Sequence, residues 1–165
     1  MRSLGVLLAV VTTSLIPSAC LPEAVPCPAI AQAPVVALTV AASYAPSVKG
    51  IHLKACQDGT CREADLELMP GSVSVDLGCE PASGPDGTCS ATSSPDGTLR
   101  GMLMMDVLTE SRIDATATGT SSVGAPLPER KLSFMPKAAY PYGEQCGKFI
   151  TAGTVLDADG LRQES

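Results

Sequence analysis

The chain has no tryptophan and no asparagine, and its 165 residues include one histidine, two phenylalanines and three tyrosines. Without asparagine there is no Asn-x-Ser/Thr acceptor for N-glycosylation. A single imidazole, His52, together with the absence of any Cys-x-x-Cys spacing, argues against a zinc site. No Gly-x-Ser-x-Gly elbow, phosphate-cradling glycine loop or complete calcium-binding loop is present. Charges of both signs are scattered, with no run of like sign, and sum to a formal −6. That balance argues against nucleic acid as a partner and against electrostatic docking on anionic lipid. The apolar run Leu4 to Ile16 spans 13 residues. A membrane helix needs roughly 20, so the run fits the h-region of a signal peptide instead.

Arg2 precedes that run, and Pro17-Ser18-Ala19-Cys20 follows it. This ending resembles the lipobox of bacterial lipoproteins, in which small residues precede a cysteine that is diacylated before cleavage. Pro17 stands where that family has Leu, Val or Ile. The resemblance implies residues 1–19 as a signal peptide, a lipid on Cys20, and a place on the outer face of the plasma membrane. Plain secretion is the competing reading, with Ala31-Gln32-Ala33 as a small-x-small site, and an uncleaved anchor is a third. All three export the chain. Loss of residues 1–19 would leave 10 basic against 17 acidic side chains, moving the formal charge to −7.

Seven cysteines are an odd number, and Cys20 is the one a lipid would occupy. Among the other six, Cys56-Gln57-Asp58-Gly59-Thr60-Cys61 reads as a hairpin tip with Asp58-Gly59 as its two-residue loop. Cys56 and Cys61 then oppose each other at a non-hydrogen-bonded pair, where Cα atoms lie about 4.5 Å apart, within disulfide reach. The same register sets Lys54 against Glu63 and His52 against Asp65 on one face, and Ile51 against Leu66 and Leu53 against Ala64 on the other. Cys79 and Cys89 bracket a Pro/Gly-rich loop, Glu80 to Thr88, and are expected to close it. Cys27 and Cys146 pair by elimination.

Leu21 to Pro34, with Pro22, Pro26, Pro28 and Pro34, reads as a stiff tether, so that residues 20–34 form the lipidated, Pro-rich link to a domain spanning 35–165. Period-two alternation then recurs at Val36-Leu38-Val40, Ile51-Leu53-Ala55, Ala64-Leu66-Leu68, Val73-Val75-Leu77, Leu99 to Val107, Ile113-Ala115-Ala117, Leu132-Phe134 and Phe149 to Leu156. Asp-Gly at Asp58, Asp86, Asp96 and Asp159 supplies turns. The pattern predicts an all-β chain: an antiparallel, Ig-like β-sandwich of seven to nine strands, stapled by disulfides.

Motifs with chemical reach are few. Pro85 to Thr88, Pro95 to Thr98 and Asp157-Ala158-Asp159-Gly160 read as turns rather than calcium ligands. His52 with Asp65 reads as a solvated pair on a strand face, since a catalytic pair would need a converging nucleophile. Met102 and Met104 share a face opposite Leu103 and Met105, which predicts a central or covered strand, or else an adaptable apolar contact surface. Tyr140 and Tyr142, beside Cys146, are candidates for packing on the disulfide or for stacking on a ligand.

The mature region is similar to uncharacterised lipoproteins of high-GC Gram-positive bacteria, on Ala55 to Cys61 and on Tyr140-Pro141 through Cys146-Gly147. That likeness transfers no activity. The expectation is a non-enzymatic binding or structural protein at the cell envelope, without cofactor or metal. Its partners would be the membrane through Cys20 and an envelope protein or polysaccharide. A polysaccharide- or solute-binding accessory module, with Tyr140, Tyr142, Met102 and Met104 as the contact face, is one alternative. A small secreted hydrolase with two convergent carboxylates is another.

Overall fold

The computed structural model describes residues 26–79 and 88–164. Alternating apolar residues form strands wherever one face meets a core. Thus β1 (Val35–Val40) buries Val36, Leu38 and Val40 and turns Val35, Ala37 and Thr39 outward. The other strands are β2 (Val48–Gln57), β3 (Thr60–Asp65), β4 (Met69–Cys79), β5 (Cys89–Met104), β6 (Ile113–Ser121), β7 (Arg130–Phe134), β8 (Lys137–Ala139), β9 (Phe149–Leu156) and β10 (Leu161–Gln163). Helical structure among the described residues is confined to two single turns, Ala45–Ser47 and Glu144–Cys146.

The strands form two sheets. The larger runs β10-β9-β1-β5-β4, with β8 also pairing to β9; the smaller runs β3-β2-β6-β7. All pairings are antiparallel except β1 with β9. One hydrophobic cluster draws on both sheets, from Val36, Leu38, Val40, Leu103 and Leu156 on one side and Ile51, Leu53, Ala55, Ile113 and Ala117 on the other. The chain is therefore mostly β, in two antiparallel-rich sheets with a common core. The ten strands among the described residues exceed the expected seven to nine through β8 and β10, three residues each, which are too short to show an alternation.

The hairpin register holds residue by residue: Cys56 opposes Cys61, Lys54 opposes Glu63, Leu53 opposes Ala64 and His52 opposes Asp65. Leu66 N–H continues it by donating to Ile51 O at 2.8 Å. Asp58 (φ 50°) and Gly59 (φ 80°) adopt the left-handed conformations that the two-residue turn demands. The expected apolar face is only partly covered. Ile51, Leu53 and Leu66 are buried, whereas Ala64 is exposed, because β3 is the sheet edge and all six of its residues face solvent.

Three disulfides join Cys56 to Cys61, Cys79 to Cys89, and Cys27 to Cys146. The last changes the view of the Pro-rich tether. From Cys27 onward the segment is fastened to the domain: the Gln32 side-chain amide accepts from Ile150 N–H at 3.0 Å and donates to Ile150 O, and Met105 N–H donates to Pro34 O at 2.8 Å. Gln32 thus continues, with its side chain, the hydrogen bonding that β1 makes with β9.

A second correction concerns β5. Alternation places a strand only from Leu99 onward, with Pro95 to Thr98 as a turn, yet β5 runs unbroken through 16 residues. Asp96-Gly97-Thr98 instead forms an irregularity within the strand, where the pairing to β4 shifts between Pro70 and Ser72 and Gly97 has φ 76°. Beyond this point β4 and β5 leave the body as a two-stranded arm, Ser72 to Cys79 against Cys89 to Pro95, with the Cys79–Cys89 bridge at its far end. Cys89 to Ser94 is almost entirely polar, so it shows no alternation to read.

Strand directions give the molecule two poles. At one, the start of β1 meets the end of β5 (Val35 opposite Met104), and the start of β9 lies near Cys146 and the docked residues 27–34. At the other, the arm extends past Val40, which faces Leu99, by about 20–25 Å at the usual rise per residue.

Candidate functional site

Met102 and Met104 lie on the outer face of the larger sheet, each 58 % exposed, while Leu103 and Met105 point into the core. Their strand is central, as expected, but nothing among the described residues covers its outer face. Register sets Met104 beside Val35 and Met102 beside Ala37, and Ala37 in turn beside Gly153. The small side chains leave a shallow groove of about 290 Å³ next to the methionines, with Lys137 and Glu164 at its rim. Lys137 Nζ donates to the backbone Glu164 O at 2.9 Å, and the Glu164 carboxylate lies over Gly153, where an added Cβ would fall 2.3 Å from Oε2. The groove combines small apolar side chains (Ala33, Val35, Ala37, Ala152) with one side chain of each charge, Lys137 and Glu164.

Tyr140 and Tyr142 are also half exposed, in the segment between β8 and β9. Tyr142 packs edge-on against Phe149 with ring centroids 5.8 Å apart, which fixes its orientation without burying it. Tyr140 stands close enough to Lys148 to favour its charged form, although the Glu110 carboxylate, hydrogen-bonded to Lys148, is the main reason that amine is held above its ordinary range. The tyrosines and methionines do not form one continuous face. Met104 lies two strands from β9, roughly 10 Å across the sheet.

His52 Nδ1 lies 3.0 Å from Asp65 Oδ1, beside a cavity of about 390 Å³ that Thr118 and Thr120 also line. Thr118 is the direct cross-strand neighbour of His52. The Asp65 side chain is 93 % exposed, so it is solvated rather than held as the buried orienting acid of a catalytic triad. No hydrogen bond joins a threonine hydroxyl to His52 among the described residues. The arrangement is a surface pair on the outer face of the smaller sheet.

One cavity, of about 190 Å³, is lined by two acids, Asp58 and Asp106. Each has a side-chain partner. Arg62 grips Asp106 through both Nε (3.0 Å) and Nη2, and the hydrogen bond holds the guanidinium pKa above its ordinary value. Asp58 Oδ2 accepts from Thr109 Oγ1 at 3.0 Å. Asp96 and Asp157 are pushed below the ordinary aspartate range, the first chiefly by the Thr98 hydroxyl and the second by Gly160 N–H. A general acid needs the opposite shift. Among the described residues no cluster of three or more His, Cys, Asp or Glu is arranged to hold a metal ion.

Sequence reasoning missed Gln57. It sits at the hairpin tip on the core side, 5 % exposed, and its amide spans the loop after β5: it donates to Thr109 O at 3.1 Å and Ser111 O at 2.6 Å and accepts from Thr109 N–H at 3.0 Å. A polar residue at an inward-facing strand position was the available signal. The arm was missed too, because Val73, Val75 and Leu77 read as an ordinary half-buried strand.

Cys20, the lipobox residues and Asp86 lie outside the described residues. No described helix is long and apolar enough to cross a membrane. Three disulfides indicate an oxidising, extracytoplasmic environment. Comparison with known protein families, with curated proteins and with solved structures finds no match.

Proposed function

We propose that the chain is a lipid-anchored, extracytoplasmic β-sandwich of Ig-like type with a non-enzymatic binding or structural role at the outer face of the plasma membrane. The observation that carries the anchor is the cysteine pairing. Six cysteines are joined pairwise, which leaves Cys20 as the seventh, at the end of the apolar leader. The Cys27–Cys146 bridge gives this a geometric consequence. Seven residue steps separate Cys20 from Cys27, so an acylated Cys20 holds that pole within about 25 Å of the bilayer. The groove beside Met102 and Met104 and the two tyrosines then lie close to the membrane.

The sandwich reading rests on the common core of the two sheets. The Ig-like reading rests on strand order. The series β3-β2-β6-β7 follows the order C′-C-F-G, and β4-β5-β1 follows D-E-B. Strand A's place beside B is taken by β9, running parallel to β1. A binding role is supported by the exposed apolar side chains on both poles.

Growth with an alkyne-tagged fatty acid tests the anchor. The wild-type chain is expected to take up the label and fractionate with membranes, and Cys20→Ala is expected to be unlabelled and released. Unchanged labelling and membrane association in Cys20→Ala would overturn the reading.

A further inference from the structure

The arm carries a row of apolar side chains that nothing in the described structure covers. Val73, Val75 and Leu77 alternate with Ser72, Ser74 and Asp76 along β4 and are 48, 39 and 62 % exposed. β4 is also the terminal strand of its sheet, so its outer row of N–H and C=O groups has no strand partner among the described residues. Such an edge is a template for pairing, and proteins blunt it with lysine, proline or bulges. Here the stretch Ser72 to Leu77 carries no lysine and one charge, Asp76. On a chain of formal charge −6, it is a place where two copies can approach with little mutual repulsion.

We propose that β4 pairs antiparallel with β4 of a second copy. One register suits the sequence. With Val75 opposite its own counterpart, Val73 meets Leu77 and Ser74 meets Asp76. The apolar residues then form one continuous row, and each carboxylate faces a hydroxyl that can donate to it. A slip that centres the pair on Asp76 would oppose the two carboxylates instead. The run is short by construction. Pairing with β5 is irregular between Pro70 and Ser72 and again between Asp76 and Gly78, so the regular edge is confined to about one strand's worth of residues. A two-fold contact of this kind uses the same edge on both partners and closes, giving a dimer rather than a fibre. The outer edge of β5 is less suited, because Pro95 lacks an N–H and the irregularity at Asp96-Gly97 follows it. Antiparallel pairing sets the two Cys27–Cys146 poles at opposite ends of the dimer.

The pairing goes beyond the proposed role and does not depend on acylation, so the test uses the secreted full-length chain carrying Cys20→Ser. Sedimentation velocity over rising concentration is expected to show a monomer–dimer equilibrium. Val75→Glu sets two carboxylates against each other and is expected to raise the dimer dissociation constant by more than about tenfold. Val123→Glu, at an exposed valine outside the arm, is expected to leave it unchanged. Amide exchange at residues 73–77 is expected to slow as the dimer forms. A monomer at every concentration, a dimer indifferent to Val75→Glu, or a dimer without slowed exchange at 73–77 would each overturn the proposal. None of these outcomes bears on the lipid at Cys20, which fatty-acid labelling of the unmodified chain decides separately.

Discussion

β1 and β4 are written in nearly the same way and end in opposite surroundings. Val36-Ala-Leu-Thr-Val40 and Val73-Ser-Val-Asp-Leu77 both place an apolar residue at every second position. In β1 those residues are at most 1 % exposed, while in β4 they are 39 % or more. The difference lies in what stands opposite. β1 is flanked by β5 and β9 and faces the smaller sheet across the common core, whereas the outer part of β4 has β5 on one side and no second layer among the described residues. Alternation therefore reports that a segment extends and that one face is apolar. It does not report whether that face is covered.

The largest test of this contrast is a pair of truncations. Leu38→Ala removes a fully buried side chain from the centre of β1 and is expected to cost about 2–5 kcal/mol of unfolding free energy, because the rigid surroundings keep the cavity. Val75→Ala on the arm is expected to stay within about 0.5 kcal/mol, in the range of surface substitutions. Denaturant titration of both, under conditions where the chain is monomeric, measures the gap. Equal losses would mean that the arm packs against something other than solvent.

A smaller, more local effect is expected from the arm's bridge. Isolated two-stranded hairpins are marginal in water, and the Cys79–Cys89 link, ten residues apart in sequence, restricts the open arm by an amount worth up to about 3 kcal/mol in the chain-entropy account. The arm shares little with the core, so replacing both cysteines by serine is expected to speed amide exchange in Val73 to Cys79 and Cys89 to Ser94 and to leave exchange in β1 and β6 almost unchanged. Uniform loss of protection across both sheets would show that arm and body unfold as one unit.

What was legible in the sequence follows the same division. Positions tied to a neighbour by chemistry could be read: the hairpin at Asp58-Gly59 with its charge-sorted register, and the inward faces of β1, β2, β6 and β9. The Cys27–Cys146 pair followed from counting cysteines rather than from any local signal. Three features escaped, each because the deciding contact is remote. Cys89 to Ser94 is a strand held only by its partner, so its polar residues carry no pattern. Pro95 to Thr98 has the composition of a turn, yet it makes only a local irregularity, with Gly97 at φ 76°, and β5 pairs with β4 on both sides of it. Gln57 sits inward because three backbone groups at Thr109 and Ser111 need it, and those lie more than fifty residues away. The candidate contact residues were readable one by one, but their separation over different strands was not.

The finest test lies at the junction of arm and body. Asp96 Oδ1 accepts from Thr98 Oγ1 at 2.6 Å and from Thr98 N–H at 2.9 Å, and Arg100 Nη2 stands 3.4 Å from Oδ2. Gly71 leaves the room this cluster needs, since a Cβ there would lie 2.0 Å from Thr98 Oγ1. The hydrogen bonds from Thr98, the hydroxyl first, hold the Asp96 carboxyl below the ordinary value of 3.8. A folded-state pKa lowered in this way contributes stability that is fully present above the unfolded value and is lost as pH falls through the folded one. The effect is therefore confined to the region below pH 3.8. Carboxyl-carbon NMR is expected to give Asp96 a titration midpoint under 3.8, with amide exchange at Gly97 and Thr98 accelerating through the same interval. Asp96→Asn is expected to abolish that pH dependence while leaving the exchange of β1 as it was. A midpoint at or above 3.8 would mean that Thr98 does not hold the carboxylate, and the junction would then owe its shape to Gly71 and Gly97 alone.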